Sequence, residues 1–181
     1  GPFEMMDKIG AASIVTRLEA AGKPVPEFIA LAAQKGGFYT TEEAEIHRLT
    51  PSSTRVQVAR GSDTLTVADL KRRGKPLQRN ASASIWDAGD GVLLIEYHSK
   101  MNAMDPLSLE IVLAAADMAD FGDWKGILIA NDAKNFCAGA NLGLALFAAN
   151  LAAWTEVEEF IALGQEAYQA LKYAEVPVVA A

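Results

Sequence analysis

The segment 135–142 has residue types and a spacing that could stabilise a developing negative charge. An apolar strand is expected at 126–130, and the chain then passes through Ala138, Gly139 and Ala140 into an apolar helix. A strand, a small-residue turn and a helix leave backbone N–H groups pointing outward at the turn. Small side chains let a ligand carbonyl approach this backbone closely. The pattern therefore predicts an oxyanion hole, which needs fixed N–H donors and open space in front of them.

The residues of this segment, Asn-Phe-Cys-Ala-Gly-Ala-Asn-Leu, resemble the first oxyanion-hole motif of the crotonase (enoyl-CoA hydratase/isomerase) superfamily. The common form of that motif is Phe-x-x-Gly-Ala-Asp, and Asn141 stands here in place of the aspartate. The resemblance implies that the Ala140 N–H donates a hydrogen bond to a thioester oxygen of the substrate. It also implies a substrate-binding surface made of Ala138, Gly139, Ala140, Asn141, Leu142 and Gly143.

Asn102 and Ala103 are two further substrate-binding residues implied by the resemblance. The family commonly has Asn-Ala-Leu after its second strand, near the bound coenzyme A, and Asn102-Ala103-Met104 follows a strand expected at 92–98. Without the family, Asn102 is a turn residue before a capped helix, and turn chemistry alone accounts for an asparagine. Both interpretations stay open. Gly143 stands where the family often has a basic residue that reaches a coenzyme A phosphate.

Composition and charge exclude several classes of protein. The net charge of −7 argues against a nucleic-acid-binding surface and favours an acidic cytoplasmic protein. A single cysteine cannot form an intrachain disulfide or a cysteine-based zinc site. No stretch reaches the roughly 20 consecutive apolar residues of a membrane span, and the first residues lack the features of a signal peptide. We therefore expect no metal site, no nucleic-acid partner and no membrane span.

Residues 1–40 have the pattern of short helices. Apolar residues within 3–20 recur close to helical spacing, Gly22 and Pro24 form a stop signal, and a second helix is predicted at 27–34. This block resembles the end of the C-terminal helical domain of 3-hydroxyacyl-CoA dehydrogenases. The resemblance is carried by Gly-Pro-Phe-Glu, Asp-x-Ile-Gly, Gly-Lys-x-x-Pro and Phe-Tyr, at residues 1–4, 7–10, 22–26 and 38–39.

The stretch 41–81 is interpreted as a linker with a small hairpin. Residues 54–60 alternate between polar and apolar types, Gly-Ser-Asp at 61–63 favours a turn, and a second strand is predicted at 64–67. The basic run at 71–75 has two interpretations. A solvated linker is favoured over a specific anion site, because charge runs are usually exposed to solvent.

From residue 82 onward the pattern becomes that of an α/β domain. A hairpin is expected between strands at 84–87 and 92–97. Asp105 followed by Pro106 predicts the start of a helix with one apolar stripe. The strand at 126–130 then implies a parallel pair joined by a right-handed crossover.

The last part of the chain is predicted to form a long helix and a strand. Thr155 with Glu158 three residues later predicts a capping box, and apolar spacing continues the helix up to Ala174. The closing strand at 176–181 is expected to pair beside the earlier ones. The chain starts without a methionine and stops in this strand, so both ends are interpreted as cut from a longer protein.

Other polar residues have simpler explanations than catalysis. Cys137 is the only thiol, and neither His47 nor His98 is expected near it, so it is interpreted as small buried filler. The two histidines are interpreted as surface or packing residues, since zinc would need further ligands. Most of the glutamates near the end of the chain are assigned to the solvated polar face of the last helix rather than to acid–base chemistry: Glu156, Glu158, Glu159, Glu166 and Glu175.

The predicted fold class is α/β, with a partial crotonase-like ββα spiral preceded by a short all-α segment. Residues 1–40 are assigned to the end of a hydroxyacyl-CoA dehydrogenase helical domain, 41–81 to the linker, and 82–181 to the first half of a crotonase domain. The resemblance implies a fused enzyme of fatty-acid β-oxidation, which hydrates 2-enoyl-CoA and oxidises 3-hydroxyacyl-CoA with NAD. No cofactor is expected in this segment; NAD belongs to the parent protein, and coenzyme A enters as part of the substrate.

The resemblance also implies partners and a limit on activity. The expected partners are an acyl-CoA substrate, the rest of the parent chain, a thiolase, and further copies of this chain. In the family, the catalytic carboxylates and the second oxyanion donor follow a Gly-Gly-Gly turn, which this sequence does not contain. The segment alone is therefore expected to be inactive.

Two alternative functions stay open. One keeps the fold and changes the reaction to that of an isomerase or a thioester hydrolase, since all of these use the Ala140 turn and differ in their carboxylates. The other, from a different class, is a non-catalytic structural or docking module that joins domains.

Overall fold

The computed structural model describes residues 1–59 and 64–181, which divide into two compact units, Gly1–Thr64 and Leu65–Ala181. The division falls inside the stretch that the sequence assigns to a linker. The described residues of unit 1 form three helices followed by three strands: α1 (Pro2–Ile9), α2 (Ala11–Ala20), α3 (Glu27–Gln34), β1 (Tyr39–Glu42), β2 (Glu45–Leu49) and β3 (Arg55–Gln57). The strands form an antiparallel sheet in the order β1-β2-β3.

The helices of unit 1 differ from the sequence expectation at Gly10. The single helical stretch expected over 3–20 is two helices, because Gly10 adopts φ 92°, which interrupts the helix and which glycine tolerates. The helix α3 has the expected bounds. The Asp7 carboxylate accepts hydrogen bonds from the N–H groups of Phe38 and Tyr39, at 2.8 and 2.9 Å. The Asp-x-Ile-Gly pattern at 7–10 and the Phe-Tyr pattern at 38–39 therefore contact each other.

The stretch 41–81 contains more regular structure than one hairpin. The segment at 55–57 is a strand, but it pairs with β2, and residues 60–63, which include the expected turn, lie outside the described residues. The second strand expected at 64–67 is wrong. Thr66 instead caps a helix, α4 (Val67–Arg73), by accepting a hydrogen bond from the Asp69 N–H. This capping box is the local signal that overrides the alternating pattern.

Unit 2 is built on a five-stranded sheet in the order β4-β5-β6-β7-β8. After α4, its elements are β4 (Gln78–Arg79), β5 (Ala83–Asp87), β6 (Val92–Tyr97), a 3₁₀ turn (Lys100–Asn102), α5 (Pro106–Phe121), β7 (Gly126–Ile129), α6 (Leu142–Asn150), α7 (Trp154–Lys172) and β8 (Val178–Ala180). The β5–β6 hairpin is antiparallel, while β6–β7 and β7–β8 are parallel. The expected hairpin, parallel crossover and closing strand are confirmed.

The two faces of this sheet carry different helices. One face packs against α5 through side chains such as Ile85, Leu93 and Ile95, which are 0% exposed. Because side chains alternate along a strand, Trp86 and Leu94 point to the opposite face. There they pack with Val67 and Leu70 of α4.

The ends of the long helices agree with the sequence at α5 and differ at α7. The Asp105 side chain accepts a hydrogen bond from the Ser108 N–H at 2.9 Å, and Pro106 is the first helical residue, as predicted. The predicted capping box of Thr155 and Glu158 is wrong, because α7 begins at Trp154 with Ala153 as its N-cap and ends at Lys172. Among the described residues, no helix is long and apolar enough to span a membrane.

Candidate functional site

The segment around Ala140 forms a short parallel bridge with the end of the turn that follows β6. Met104 donates its N–H to the Gly139 carbonyl at 2.9 Å and accepts a hydrogen bond from the Asn141 N–H at 2.7 Å. In this pattern the N–H of the central residue, Ala140, points away from Met104. Within residues 1–59 and 64–181, no backbone or side-chain acceptor takes that N–H. It is thus a fixed donor held by hydrogen bonds on both sides.

The amide of Asn102 holds the turn that precedes this donor. Asn102 is 5% exposed and has φ 53°. Its Nδ2 donates to the carbonyls of Asn135 and Phe136, at 2.8 and 3.3 Å, and the Asn131 Nδ2 donates to the Phe136 carbonyl at 2.9 Å. The structure therefore brings Asn102 and the 135–142 segment together. The Asn102 amide group donates its hydrogen bonds to backbone carbonyls of the protein.

Cys137 and Gly139 occupy the same turn. Gly139 has φ 85°, and its N–H points to the Cys137 Sγ at 3.2 Å, so this amide is already engaged. Cys137 is half-buried, which is more exposed than the buried filler expected from the sequence. The described residues place no histidine in a hydrogen bond with its sulfur; the Gly139 carbonyl is its one potential acceptor, at 3.9 Å.

The remaining predicted site residues lie around this turn with different degrees of exposure. Asn141 caps α6, since its Oδ1 accepts a hydrogen bond from the Leu144 N–H at 3.4 Å, as its residue type suggested. Leu142 is 75% exposed, and Gly143 and Ala138 are also exposed. The Ala103 carbonyl accepts a hydrogen bond from the Ser99 hydroxyl at 2.6 Å.

A small apolar cavity of about 210 Å³ opens beside Ala140. Its walls come from the turn after β6, from α5 and from α7: Met104, Leu109, Ala140, Phe160, Ile161, Gly164, Gln165 and Tyr168. The sequence analysis missed the α7 residues of this wall as site residues. Phe160, Gly164 and Tyr168 recur every four positions, which places them on one helix face, and that spacing is the signal that could have identified them.

Two tyrosines near the cavity have raised pKa values. Partial burial raises the pKa of the Tyr168 phenol, with a smaller contribution from the Cys137 thiol. The Tyr168 hydroxyl donates to the Met104 sulfur at 2.9 Å. Burial also raises the pKa of the Tyr97 phenol, and Tyr168 and Cys137 add to the shift. Both phenols are therefore neutral near pH 7, so neither repels an oxygen that gains charge at Ala140.

The glutamates that follow this turn along the chain are exposed to solvent. All five of the glutamates considered in the sequence, at 156, 158, 159, 166 and 175, are exposed. The described part of the chain contains no cluster of three His, Cys, Asp or Glu side chains that could hold a metal ion. The turn offers hydrogen bonding from a backbone amide beside an apolar wall.

Comparison with known proteins gives one relative by sequence and several by fold. The chain is 33% identical over 183 residues to a probable 3-hydroxyacyl-CoA dehydrogenase of Bacillus subtilis (strain 168), which it matches along its entire length. It spans 23% of the length of that relative. No family model matches the chain.

Solved structures of enoyl-CoA hydratases share the fold of about half of the chain. An enoyl-CoA hydratase from Polaromonas sp. JS666 matches with a TM-score of 0.50 and 20% identity, over 55% of this chain and 39% of that one. A putative enoyl-CoA hydratase from Streptomyces coelicolor A3(2) matches with a TM-score of 0.50 and 15% identity, over 59% and 40% of the two chains. The protein is therefore a mixed α/β chain with a crotonase-like fold and a 3-hydroxyacyl-CoA dehydrogenase homologue.

Proposed function

We propose that this chain is the junction of a fused β-oxidation enzyme that hydrates 2-enoyl-CoA and oxidises 3-hydroxyacyl-CoA with NAD. The observation that carries the proposal is the unpaired Ala140 N–H beside an apolar cavity. The Bacillus subtilis relative supports it as well, since it matches the chain along its whole length, including the crotonase-like part. An acidic chain of this composition fits a cytoplasmic enzyme.

The chemistry assigned to Ala140 is stabilisation of an enolate. When water adds to the β-carbon of an enoyl thioester, the electron pair of the double bond moves toward the thioester oxygen, which gains negative charge. An N–H that points at this oxygen stabilises the charged form more than the starting carbonyl. One such donor commonly lowers a barrier by about 3 kcal/mol. The cavity walls, Phe160 and Leu109 among them, would hold the apolar acyl chain.

The nicotinamide step is assigned to other parts of the longer protein. The sequence contains no Gly-x-Gly-x-x-Gly segment, which is the usual fingerprint of a dinucleotide-binding turn. NAD would act there as the hydride acceptor for the 3-hydroxyacyl-CoA. We therefore assign no residue of this chain to the cofactor.

A proline at position 140 tests the proposal in the longer protein that contains this chain. Ala140→Pro removes the N–H and keeps a small side chain, and no hydrogen bond to the described residues is lost because none of them accepts from this N–H. Hydration of crotonyl-CoA should fall by about 10² or more, while NAD-dependent oxidation of 3-hydroxybutyryl-CoA is largely kept.

The matched control is Ala140→Gly, which retains the donor and should retain most of the hydratase activity. Circular dichroism and thermal unfolding check that both variants fold. Equal loss of the two activities in a folded Ala140→Pro protein, or equal loss of hydration in both variants, would rule out the assignment.

A second prediction concerns the 181-residue chain alone. The resemblance assigns the catalytic carboxylates and the second oxyanion donor to a Gly-Gly-Gly turn that this sequence lacks. We therefore expect no hydration of crotonyl-CoA above the buffer rate, measured by loss of the enoyl absorbance. Turnover that survives purification to homogeneity and disappears in Ala140→Pro would contradict this expectation.

The exposed surface of α6 favours one alternative function, a docking module. Leu146 and Phe147 are 64% and 65% exposed, and α6 has no buried residue. A docking module would bind a partner without needing the Ala140 donor. Unchanged hydration in the folded Ala140→Pro variant of the longer protein would favour that alternative.

A further inference from the structure

A second cavity lies in unit 2, on the sheet face opposite to α5. Its volume is about 450 Å³, within the range of roughly 300 to 1,000 Å³ that is usual for small-molecule pockets. It is bounded by the end of α4 and by β4, β5 and β6. The lining residues are Lys71, Gly74, Lys75, Pro76, Arg79, Ser84, Trp86, Glu96 and His98.

The polar side chains of this cavity form a row across three strands. Arg79 of β4 is paired with Ser84 of β5, and Ser84 is paired with Glu96 of β6. Directly opposite residues in antiparallel strands share a face, so these three side chains line the same side of the sheet. His98 follows two residues after Glu96, and its Nε2 lies 2.9 Å from the Ser84 hydroxyl.

Among the described residues that line the cavity, the one carboxylate is already neutralised. Glu96 is 6% exposed, and its Oε1 accepts a hydrogen bond from the Lys71 ammonium at 2.5 Å. Its Oε2 accepts a hydrogen bond from the Trp86 indole N–H at 3.1 Å. A buried charge that is paired and hydrogen-bonded on both oxygens repels an incoming anion far less than a free one.

The remaining cations are free to bind a ligand. Lys75 and Arg79 line the cavity, both are exposed, and neither forms an ion pair within the described part of the chain. Of the residues that the structure describes, three cationic side chains and one carboxylate thus face the cavity, in a chain of net charge −7. A positively charged cavity in an otherwise acidic protein attracts anions and raises their local concentration.

We propose that this cavity is a binding site for a phosphate group carried by a small organic molecule, such as a nucleotide. The guanidinium of Arg79 offers paired donors that match phosphate oxygens, and Lys75 adds a point charge. The cavity has room for more than a bare phosphate ion. Because α5 and the Ala140 cavity lie on the other face of the sheet, this site is separate from the proposed acyl site.

The indole N–H of Trp86 gives a direct reporter for this site. Trp86 lines the cavity and donates to Glu96, so a bound anion changes its surroundings. We would titrate ¹⁵N-labelled protein with ADP and, separately, with inorganic phosphate, and follow the indole signals at constant ionic strength. The Trp86 signal should shift and saturate, while the exposed Trp154 indole stays in place.

Paired variants locate the binding. Lys75→Ala with Arg79→Ala removes two charges from the cavity, and Arg17→Ala with Lys23→Ala removes two exposed charges from unit 1. The cavity variant should bind ADP at least about tenfold more weakly, since each hydrogen bond to a charged group is worth that much or more. The control variant should bind like the unchanged chain. All four positions are exposed, so both variants should fold.

Each outcome of the titration has a meaning. A tighter response to ADP than to phosphate supports a nucleotide-like ligand, and an equal response supports recognition of the phosphate group alone. The proposal is overturned if neither probe gives a saturable shift at Trp86. Equal affinity in the cavity variant and the control variant would also overturn it.

Discussion

The helices α5 and α6 are both rich in leucine and alanine, yet their surroundings are opposite. The helix α5 buries seven residues, with Ile111 and Val112 at 1% and 2% exposure. None of the residues of α6 is buried, and Leu142, Leu146 and Phe147 are 64% to 75% exposed. Apolar composition alone therefore does not decide which helix enters a core.

The difference comes from what each helix connects. The helix α5 is the crossover between the parallel strands β6 and β7, and such a crossover must lie on the sheet. The helix α6 follows the Ala140 turn instead, and it packs against α7 rather than against the sheet. A large exposed apolar surface usually marks a binding site.

Core substitutions should separate the two helices most strongly. Ile111→Ala leaves a cavity in α5 and should lower the free energy of unfolding by about 2 to 5 kcal/mol. Leu146→Ala is the matched control in α6, and its effect should stay within about 0.5 kcal/mol. Urea unfolding followed by circular dichroism measures both. Similar losses for the two variants would mean that α6 is packed in solution.

Self-association of the chain should test whether the apolar side chains of α6 are exposed in solution. The apolar side of α6 and the edge strand β8, where Val179 is 56% exposed, predict that the chain self-associates. Sedimentation over a range of concentrations should show larger species, and Leu146→Lys with Phe147→Lys should shift them toward monomer. Association that persists in this variant, with β8 newly protected from hydrogen exchange, would point to strand pairing. A monomer at every concentration would contradict the prediction.

Removing the N-cap side chains of α5 and α6 should give the smallest difference in the free energy of unfolding between the two helices. Asp105 caps α5 and Asn141 caps α6, each by accepting a hydrogen bond from a backbone N–H. Asp105→Ala should lower the global free energy of unfolding by about 1 kcal/mol, because α5 is part of the core. Asn141→Ala should only increase hydrogen exchange at the start of α6, with no change in global unfolding. Equal global losses would show that α6 unfolds together with the core.

Local signals explain what the sequence could predict. The β5–β6 hairpin, the start of α5 and the strand at β7 each depend on residues that are neighbours in sequence. The cap at Asp105 is one example, because its acceptor and donor lie three residues apart. The small-residue turn at Ala140 is recognisable from neighbouring residues, but its geometry is held by the distant residues Met104 and Asn102.

Distant contacts explain what the sequence could not predict. The start of α4 is held partly by Asp132, whose carboxylate accepts from the Val67 and Ala68 N–H groups at 3.1 and 2.8 Å. The pattern Thr155-x-x-Glu158 matched a capping box, but it lies inside α7, where helix position depends on packing. The four-residue spacing of Phe160, Gly164 and Tyr168 places them on one helix face, but that this face meets α5 and lines a cavity depends on packing between distant segments.

The order of pairing in the five-stranded sheet has a consequence for the time course of folding. The β5–β6 hairpin closes over a short turn, so its strands meet quickly once the chain begins to collapse. The pairing of Ile127 with Val178 joins β7 to β8 across the whole of α6 and α7. Closing such a long loop costs more entropy and slows the search. We expect β8 to gain its amide protection last, after the hairpin and α5 have already formed.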